Sequence, residues 1–308
     1  MMTTSFDTVI IGGGPAGLSA AIYLARFRRS VLILDQGSGR WDTAEVNENY
    51  FGFPEGIHTR QLRELGLQQA QKFGALCQEE SVSMIRREHL QDETQFRVQT
   101  AAQTYSARTI IIATGVRDHY FGLPEHQDFL GASLFWCITC DGPKTTDKKV
   151  VMIGNNDEVA CTALQLLRYT KELTLVTNST ELNISAKWQE RLNKFNVPVV
   201  VKTVIGLEGA NHHVRAVVLE EGQEIPAEVV FNGQGAQPNS ELAMSLGVAV
   251  DEKQYILTSD EQRTNIPFVY AAGDVTRLFS HQIVTAAHEG SMAAQAANYD
   301  MYLPEQRL

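Results

Sequence analysis

The chain has 308 residues, enough for about two domains, and 44% are apolar and 20% charged, the balance of a globular protein with a sizeable core. The formal net charge of −10 excludes a general binder of nucleic acid or anionic membranes. The longest apolar runs, such as Thr109 to Ala113, are strand-sized and too short to span a bilayer. The N-terminus MMTTSFDTVIIGGG has no basic segment and no cleavage pattern, so no signal peptide is expected and the cytoplasm is the expected location.

The first element is DTVIIGGGPAGLSAAIYLARF. Val9, Ile10 and Ile11 predict a buried strand, and Gly12, Gly14 and Gly17 follow as G-x-G-x-x-G, with Pro15 and Ala16 in the same turn. The first glycine permits the tight turn, the second lets a phosphate approach the backbone, and the third lets helix and strand pack closely. The free N–H groups at the helix start then face a dinucleotide pyrophosphate. A second strand, SVLILD, ends in Asp35, placed to bond a ribose hydroxyl. TIIIATG is a further buried strand, ending at Thr114 and Gly115.

The four cysteines are Cys77, Cys137, Cys140 and Cys161, too few for a secreted disulfide framework. Cys137 and Cys140 form C-x-x-C, which suggests redox chemistry or half of a metal site. A zinc site needs two more ligands, and neither a second C-x-x-C nor a nearby H-x-x-x-H exists, so no metal is expected. Cys161 falls in an apolar helix, where core packing is its expected role. Cys77 is assigned no chemistry.

From KKVVMIG a second strand–turn–helix begins, inserted between segments of the first domain. Its turn reads Gly154-Asn155-Asn156-Asp157-Glu158-Val159. Asn156 puts a side chain where a phosphate would meet backbone, and Val159 adds bulk where helix and strand should close up. Asp157 and Glu158 suit the helix dipole themselves and repel a pyrophosphate. Asn156 or Asp157 is also a good N-cap for an unused turn. The chain returns to the first domain with FVYAAGDVT, a strand ending at Gly273 and Asp274, and a helix rich in small residues, SHQIVTAAHEGSMAAQAA.

In their order these motifs resemble the low-molecular-weight thioredoxin reductases over nearly the whole chain. The resemblance is carried by GGGPAGLSAAIYLAR, NENYFGFPEGI, IIIATG, GLPEHQDFLGASLFWCITCDG, GAQPNSEL and FVYAAGDV. It implies an α/β fold of two Rossmann-like, three-layer, parallel-sheet domains. An FAD domain of residues 1–118 and 243–308 would be interrupted by a smaller nicotinamide-type domain of residues 119–242. It implies FAD held by Gly12, Gly14, Pro15, Ala16, Gly17, Asp35, Asn49, Thr114, Gly115, Gly273, Asp274, His281, Gln282 and Ile283, with His281 standing where the family has arginine. It also implies a redox-active Cys137–Cys140 disulfide beside the flavin. Cys140 would be the flavin-side sulfur, Cys137 the exchanging one, and Asp141 the group that moves protons. A homodimer and a thioredoxin-like dithiol partner are expected with it.

The departures from the family are as informative. The second turn has lost the family's G-x-G-x-x-A. The strand after it runs into LTLVTNSTEL, with Thr177, Asn178, Ser179 and Thr180 where the family has a histidine and two arginines for the extra phosphate of NADPH. No acid ends that strand for the ribose of NAD. After Asp141-Gly142 the chain has Pro143 and Lys144 in place of bulky apolar residues. The expected activity is therefore a flavoprotein disulfide oxidoreductase that does not use NAD(P)H, similar to the ferredoxin-linked flavin thioredoxin reductases. Its donor would be ferredoxin, flavodoxin or a second flavin in the vacated cleft, though no residue specifies a second flavin. Arg26, Arg28 and Arg29 are either a docking site for an acidic donor or a solvated helix end. Tyr299 and Tyr302 either stack on a flavin or a neighbouring subunit or pack the helix end. The alternatives are an NADPH-dependent thioredoxin reductase with a divergent nucleotide site, and a flavin-bearing redox sensor without efficient turnover.

Overall fold

Valine, isoleucine and leucine fill the end of Ser5–Ile11, at Val9 to Ile11, and all of Val31–Asp35 but its last residue, and Val31–Asp35 is buried at every position. Such runs suit strands covered on both faces. The structure, a computed structural model, describes residues 4–42, 46–90, 93–120, 126–276 and 281–307. The first three residues of the N-terminal segment and residues 122–125 of the GLPEH segment lie outside these. The chain divides into two units, Met1–Asp42 with Tyr50–Arg117 and Gln237–Leu308, and Thr43–Asn49 with Asp118–Ala236. The division differs from the expected one in three places, the smallest being a boundary after Arg117 rather than after residue 118. The return to the first unit comes at Gln237 rather than residue 243, and a short segment ending at Asn49 groups with the second unit.

The first unit is built on a sheet in the order Leu76–Glu79, Val31–Asp35, Ser5–Ile11, Thr104–Ile112, Glu93–Thr100, Val82–Leu90. Ser5–Ile11 pairs in parallel with both its neighbours. Val269–Ala271 joins the end of Thr104–Ile112 in parallel, with Val269 opposite Ile110. The strands Val82–Leu90 and Glu93–Thr100 are an antiparallel addition that the motifs did not announce. The two-residue strand period divides the core. Ile10, Ile33 and Ile111 face the helices Pro15–Arg26 and Ile283–Asp300, whose Ala20, Leu24, Ala293 and Ala297 pack onto them. Val9, Ile11, Leu32, Leu34, Ile110 and Ile112 face the other way, onto Phe96, Val98 and Ile256. The two helices cross closely because Gly290 has no side chain to collide with the Ala16 carbonyl.

The second unit has a wholly parallel sheet in the order Leu134–Phe135, Val229–Asn232, Lys149–Ile153, Glu172–Val176, Val199–Val200. The helices Asp157–Leu166 and Ala186–Lys194 cover one face through Val159, Ala160, Ala163, Leu166 and Leu192. A three-stranded antiparallel sheet, Val204–Ala210, His213–Leu219 and Glu224–Pro226, covers the other. Each unit is thus three layers. Among the described residues, no helix is long and apolar enough to cross a membrane.

Candidate active site

The first strand runs into Gly12, and the second ends in Asp35. Gly12 takes a φ of +106°, and a side chain on it would strike the Ala113 carbonyl. A side chain on Gly17 would strike the carbonyl of Gly12, so this glycine sets the close approach of helix to strand. Gly14 is different. It is the N-cap of Pro15–Arg26, in extended backbone and without a side-chain cap, and a Cβ on it would meet nothing within 4 Å. The first turn of the helix therefore presents its N–H groups over an open approach, the cradle that a pyrophosphate requires.

Asp35 is buried at the end of its strand. Oδ2 accepts from Gly13 N at 2.5 Å, and Oδ1 accepts from Gly37 N and from Arg63 Nη2, each at 2.9 Å. Of the roughly four lone-pair positions of a carboxylate, one is left for a ligand hydroxyl. Arg63 lies 4.1 Å from the centre of the Trp41 ring. Gly273, at φ +81°, comes against Ala16, and its N–H donates to the buried Glu289 at 2.7 Å. Thr276 Oγ1 donates to the same carboxylate at 3.2 Å. Burial pushes the Glu289 carboxyl above the ordinary range, and the two donors partly oppose this. Asp274 pairs with Arg40 at 2.8 Å.

Thr114 and Gly115 are tied down by Asn239. Thr114 Oγ1 donates to the Asn239 carbonyl at 2.7 Å, and Asn239 N donates to Gly115 O at 3.0 Å. Gln282 opens the last helix in a reciprocal cap with Thr285, Ile283 is the helix's first residue, and the His281 ring lies 5.5 Å from that of Tyr255. The structure therefore brings Gly12 to Gly17, Asp35, Gly273 and Asp274 to the carboxyl ends of the parallel strands of one sheet, where α/β folds bind ligands. Asn49 lies in the segment grouped with the second unit. Arg40, Trp41, Arg63, Asn239 and Glu289 were missed in the sequence. Only Glu289, an acid in a helix of small residues, left a signal there.

In the second unit Cys137 and Cys140 are joined in a disulfide, with Cα atoms 5.3 Å apart. Cys137 caps the single helical turn Ile138–Asp141, and Cys140 N donates to Cys137 Sγ at 3.1 Å. Both cysteines are half-buried. Asp141 ends the turn. Burial raises its carboxyl above the ordinary range, Lys144 at 3.0 Å pulls it back, and Glu48 adds to the rise. Gly142 sits under the Tyr169 ring, which leaves no room for a side chain. Cys77 and Cys161 are free and half-buried, and burial raises the Cys77 thiol. Among the described residues, no group of three or more His, Cys, Asp or Glu is placed to hold a metal ion.

The second strand–turn–helix is closed by its own residues. Asn156 is the N-cap, and its Oδ1 accepts from Val159 N at 2.9 Å. Val159 is 2% exposed, and its methyl groups fill the space beside Gly154 and Gly233. The Asp157 carboxylate accepts from Ser185 N at 2.8 Å and from Ser185 Oγ at 2.9 Å. Asn155 donates to the Glu181 carbonyl and accepts from Asn183 N, both at 2.8 Å. The loop 181–185 is thereby stitched across the turn. The uncharged residues before it are used internally: Thr177 Oγ1 donates to Ser179 O at 2.8 Å, and Asn178 Oδ1 accepts from Val204 N at 2.9 Å.

The profile of the pyridine nucleotide-disulphide oxidoreductase family matches residues 6–298. The chain is 35% identical to a thioredoxin reductase of Listeria innocua, over 95% of this chain and 92% of that one. Its fold is similar to that of thioredoxin reductase from Streptococcus pyogenes, with a TM-score of 0.90, 29% identity, and 97% and 99% of the two chains covered. It is also similar to the atypical thioredoxin reductase of Desulfovibrio vulgaris, at 34% identity over 95% and 97% of the chains and a TM-score of 0.52. The chain belongs to the pyridine nucleotide-disulphide oxidoreductase family and is, within it, an FAD-dependent, thioredoxin reductase-like oxidoreductase.

Proposed function

We propose that this chain is a thiol–disulfide oxidoreductase whose electrons come from a donor other than NADPH or NADH. They leave through Cys137 and Cys140 to a thioredoxin-like partner. The observation that carries this reading is the closed second turn. To seat a pyrophosphate there, the chain must give up the Asn156 cap, worth about 1 kcal/mol. It must also release the Asp157–Ser185 contacts and place the phosphates against Asp157 and Glu158. The loop offers no cation in return, and each missing charge-assisted contact costs about 1.5–3 kcal/mol.

The first turn supports the other half of the reading. Its uncapped helix and bare Gly14 fit the pyrophosphate of FAD, with Asp35 toward a ribose hydroxyl and Asp274 and Thr114 at the same sheet end. Bound FAD supplies two-electron redox chemistry. Cys137 is the sulfur that exchanges with the partner, Cys140 the one that exchanges with the flavin, and Asp141 takes and returns protons. Ferredoxin or flavodoxin is the donor class we favour, because the closed turn works against a second flavin as well as a nucleotide. Pairing of two chains through the FAD unit is part of the same reading. The named relatives are thioredoxin reductases, which favours NADPH dependence as the second reading.

The two readings separate in a stopped-flow spectrometer. Oxidised protein is mixed anaerobically with millimolar NADPH, then NADH, and flavin bleaching is followed. Bleaching within seconds at low nucleotide concentration overturns the proposal. No bleaching by either nucleotide, with rapid bleaching by dithionite or reduced ferredoxin, supports it.

A further inference from the structure

Lys144 stands three residues beyond Asp141, on the turn that carries the disulfide. Its Nζ donates to Asp141 Oδ1 at 3.0 Å, and the two side chains are only 29% and 14% exposed. The ammonium also lies 5.0 Å from the centre of the Phe135 ring, a side chain buried in the second unit. A lysine that merely solvates a turn sends its head into water. This one is held between a carboxylate and an aromatic face.

We propose that Lys144 is a positioning residue for thiol–disulfide exchange, keeping the Asp141 carboxylate charged and in one orientation on the Cys137–Cys140 turn. The inference rests on the reading of Asp141 as the proton-transfer group. Burial and Glu48 favour the protonated acid, and Lys144 is the charge that opposes them. An acid that stays protonated cannot accept a proton from a thiol.

The Cys137 thiol gives its proton to Asp141, and the thiolate attacks one sulfur of the partner disulfide. A Cys137–partner bond forms as the partner S–S bond breaks, and the departing thiolate takes the proton from Asp141. The Cys140 thiol then gives its proton to Asp141 and attacks Cys137 Sγ, which re-forms the Cys137–Cys140 bond and expels the second partner thiolate. That thiolate takes up the second proton. Two electrons and two protons pass from the dithiol to the partner, and Asp141 ends as it began.

The test uses FAD-loaded protein, reduced with dithiothreitol and desalted anaerobically. Its reaction with the chromogenic disulfide dithiobis-nitrobenzoate is followed by stopped flow across pH. Lys144→Met keeps a stem over Phe135 and removes the charge. It is expected to move the acid limb of the rate profile up by about one pH unit, the low end for an opposite charge at this range. Lys144→Arg restores most of the shift. Asp141→Asn abolishes the limb, and adding Lys144→Met to it moves nothing further. A uniform loss of rate at every pH in Lys144→Met, or an unmoved limb with wild-type flavin content and circular dichroism, overturns the proposal. If Asp141→Asn leaves the limb in place, the role of Asp141 has failed, and that of Lys144 with it.

Discussion

Replacing Asn155 and Asp157 together by alanine will release the loop 181–185 from the second turn and leave the unit around it folded. The double variant removes two neutral hydrogen bonds, to Glu181 O and from Asn183 N, and two to a carboxylate, from Ser185 N and Oγ. Buried bonds of these kinds are worth about 0.5–1.5 and 1.5–3 kcal/mol each. Asn183 and Ser185 are exposed and water replaces what is lost, so about 2 kcal/mol for the whole set is the scale to expect. Two backbone amides report on it directly, because Asn183 N and Ser185 N donate to the removed side chains. Local opening governs their hydrogen exchange, and about 2 kcal/mol corresponds to about a 30-fold loss of protection. Amides of Glu172–Val176 serve as the internal control, since that strand is held by its parallel neighbours. Unchanged protection at both reporter amides would refute the stitching. The same variant should gain no reduction by NADPH, because the Asn156 cap, the bulk of Val159 and the missing cations all remain.

Gly14→Val places a branched side chain in the open space above the first helix, and the folded variant should purify with much less FAD. Wild-type flavin content would remove that turn from the cofactor site. Val159→Ala deletes two buried carbons, worth about 1.6 kcal/mol by transfer and about 2–3 kcal/mol with the cavity left between Gly154 and Gly233. A urea midpoint equal to wild type would show that the space collapses. Glu289 has a folded pKa raised by burial, so its contribution to stability is complete below the ordinary carboxylate range and is lost as pH rises through the raised value. Glu289→Gln keeps an acceptor for Gly273 N and cannot ionise. Its stability relative to wild type should therefore increase as pH rises across that window, and a constant difference would refute the assignment.

The sequence carried the features whose cause is local. Gly12 and Gly17 are needed because of carbonyls one turn away or on the adjoining strand, and the apolar runs around them announce parallel strands. The Asn156 cap is satisfied within three residues, and the cysteine pair spans one helical turn. The Asp141–Lys144 pair has the same short range, yet it went unread, because spacing alone does not separate an ion pair from two solvated ends. The antiparallel strands beside Thr104–Ile112 were missed for another reason: no glycine motif marks them, although Phe96, Val98 and Thr100 alternate with exposed residues.

Longer links were beyond reach of the sequence. Arg40 meets Asp274 across 234 positions, and Arg63 reaches Asp35 across 28. Asn155 and Asp157 engage a loop 26 to 28 residues away. A glycine or an apolar run is selected by the backbone conformation and the burial of its own segment, so it can be read in place. A polar side chain is satisfied by whichever partner the packed elements bring within about 3 Å, and that partner exists only once the layers have formed.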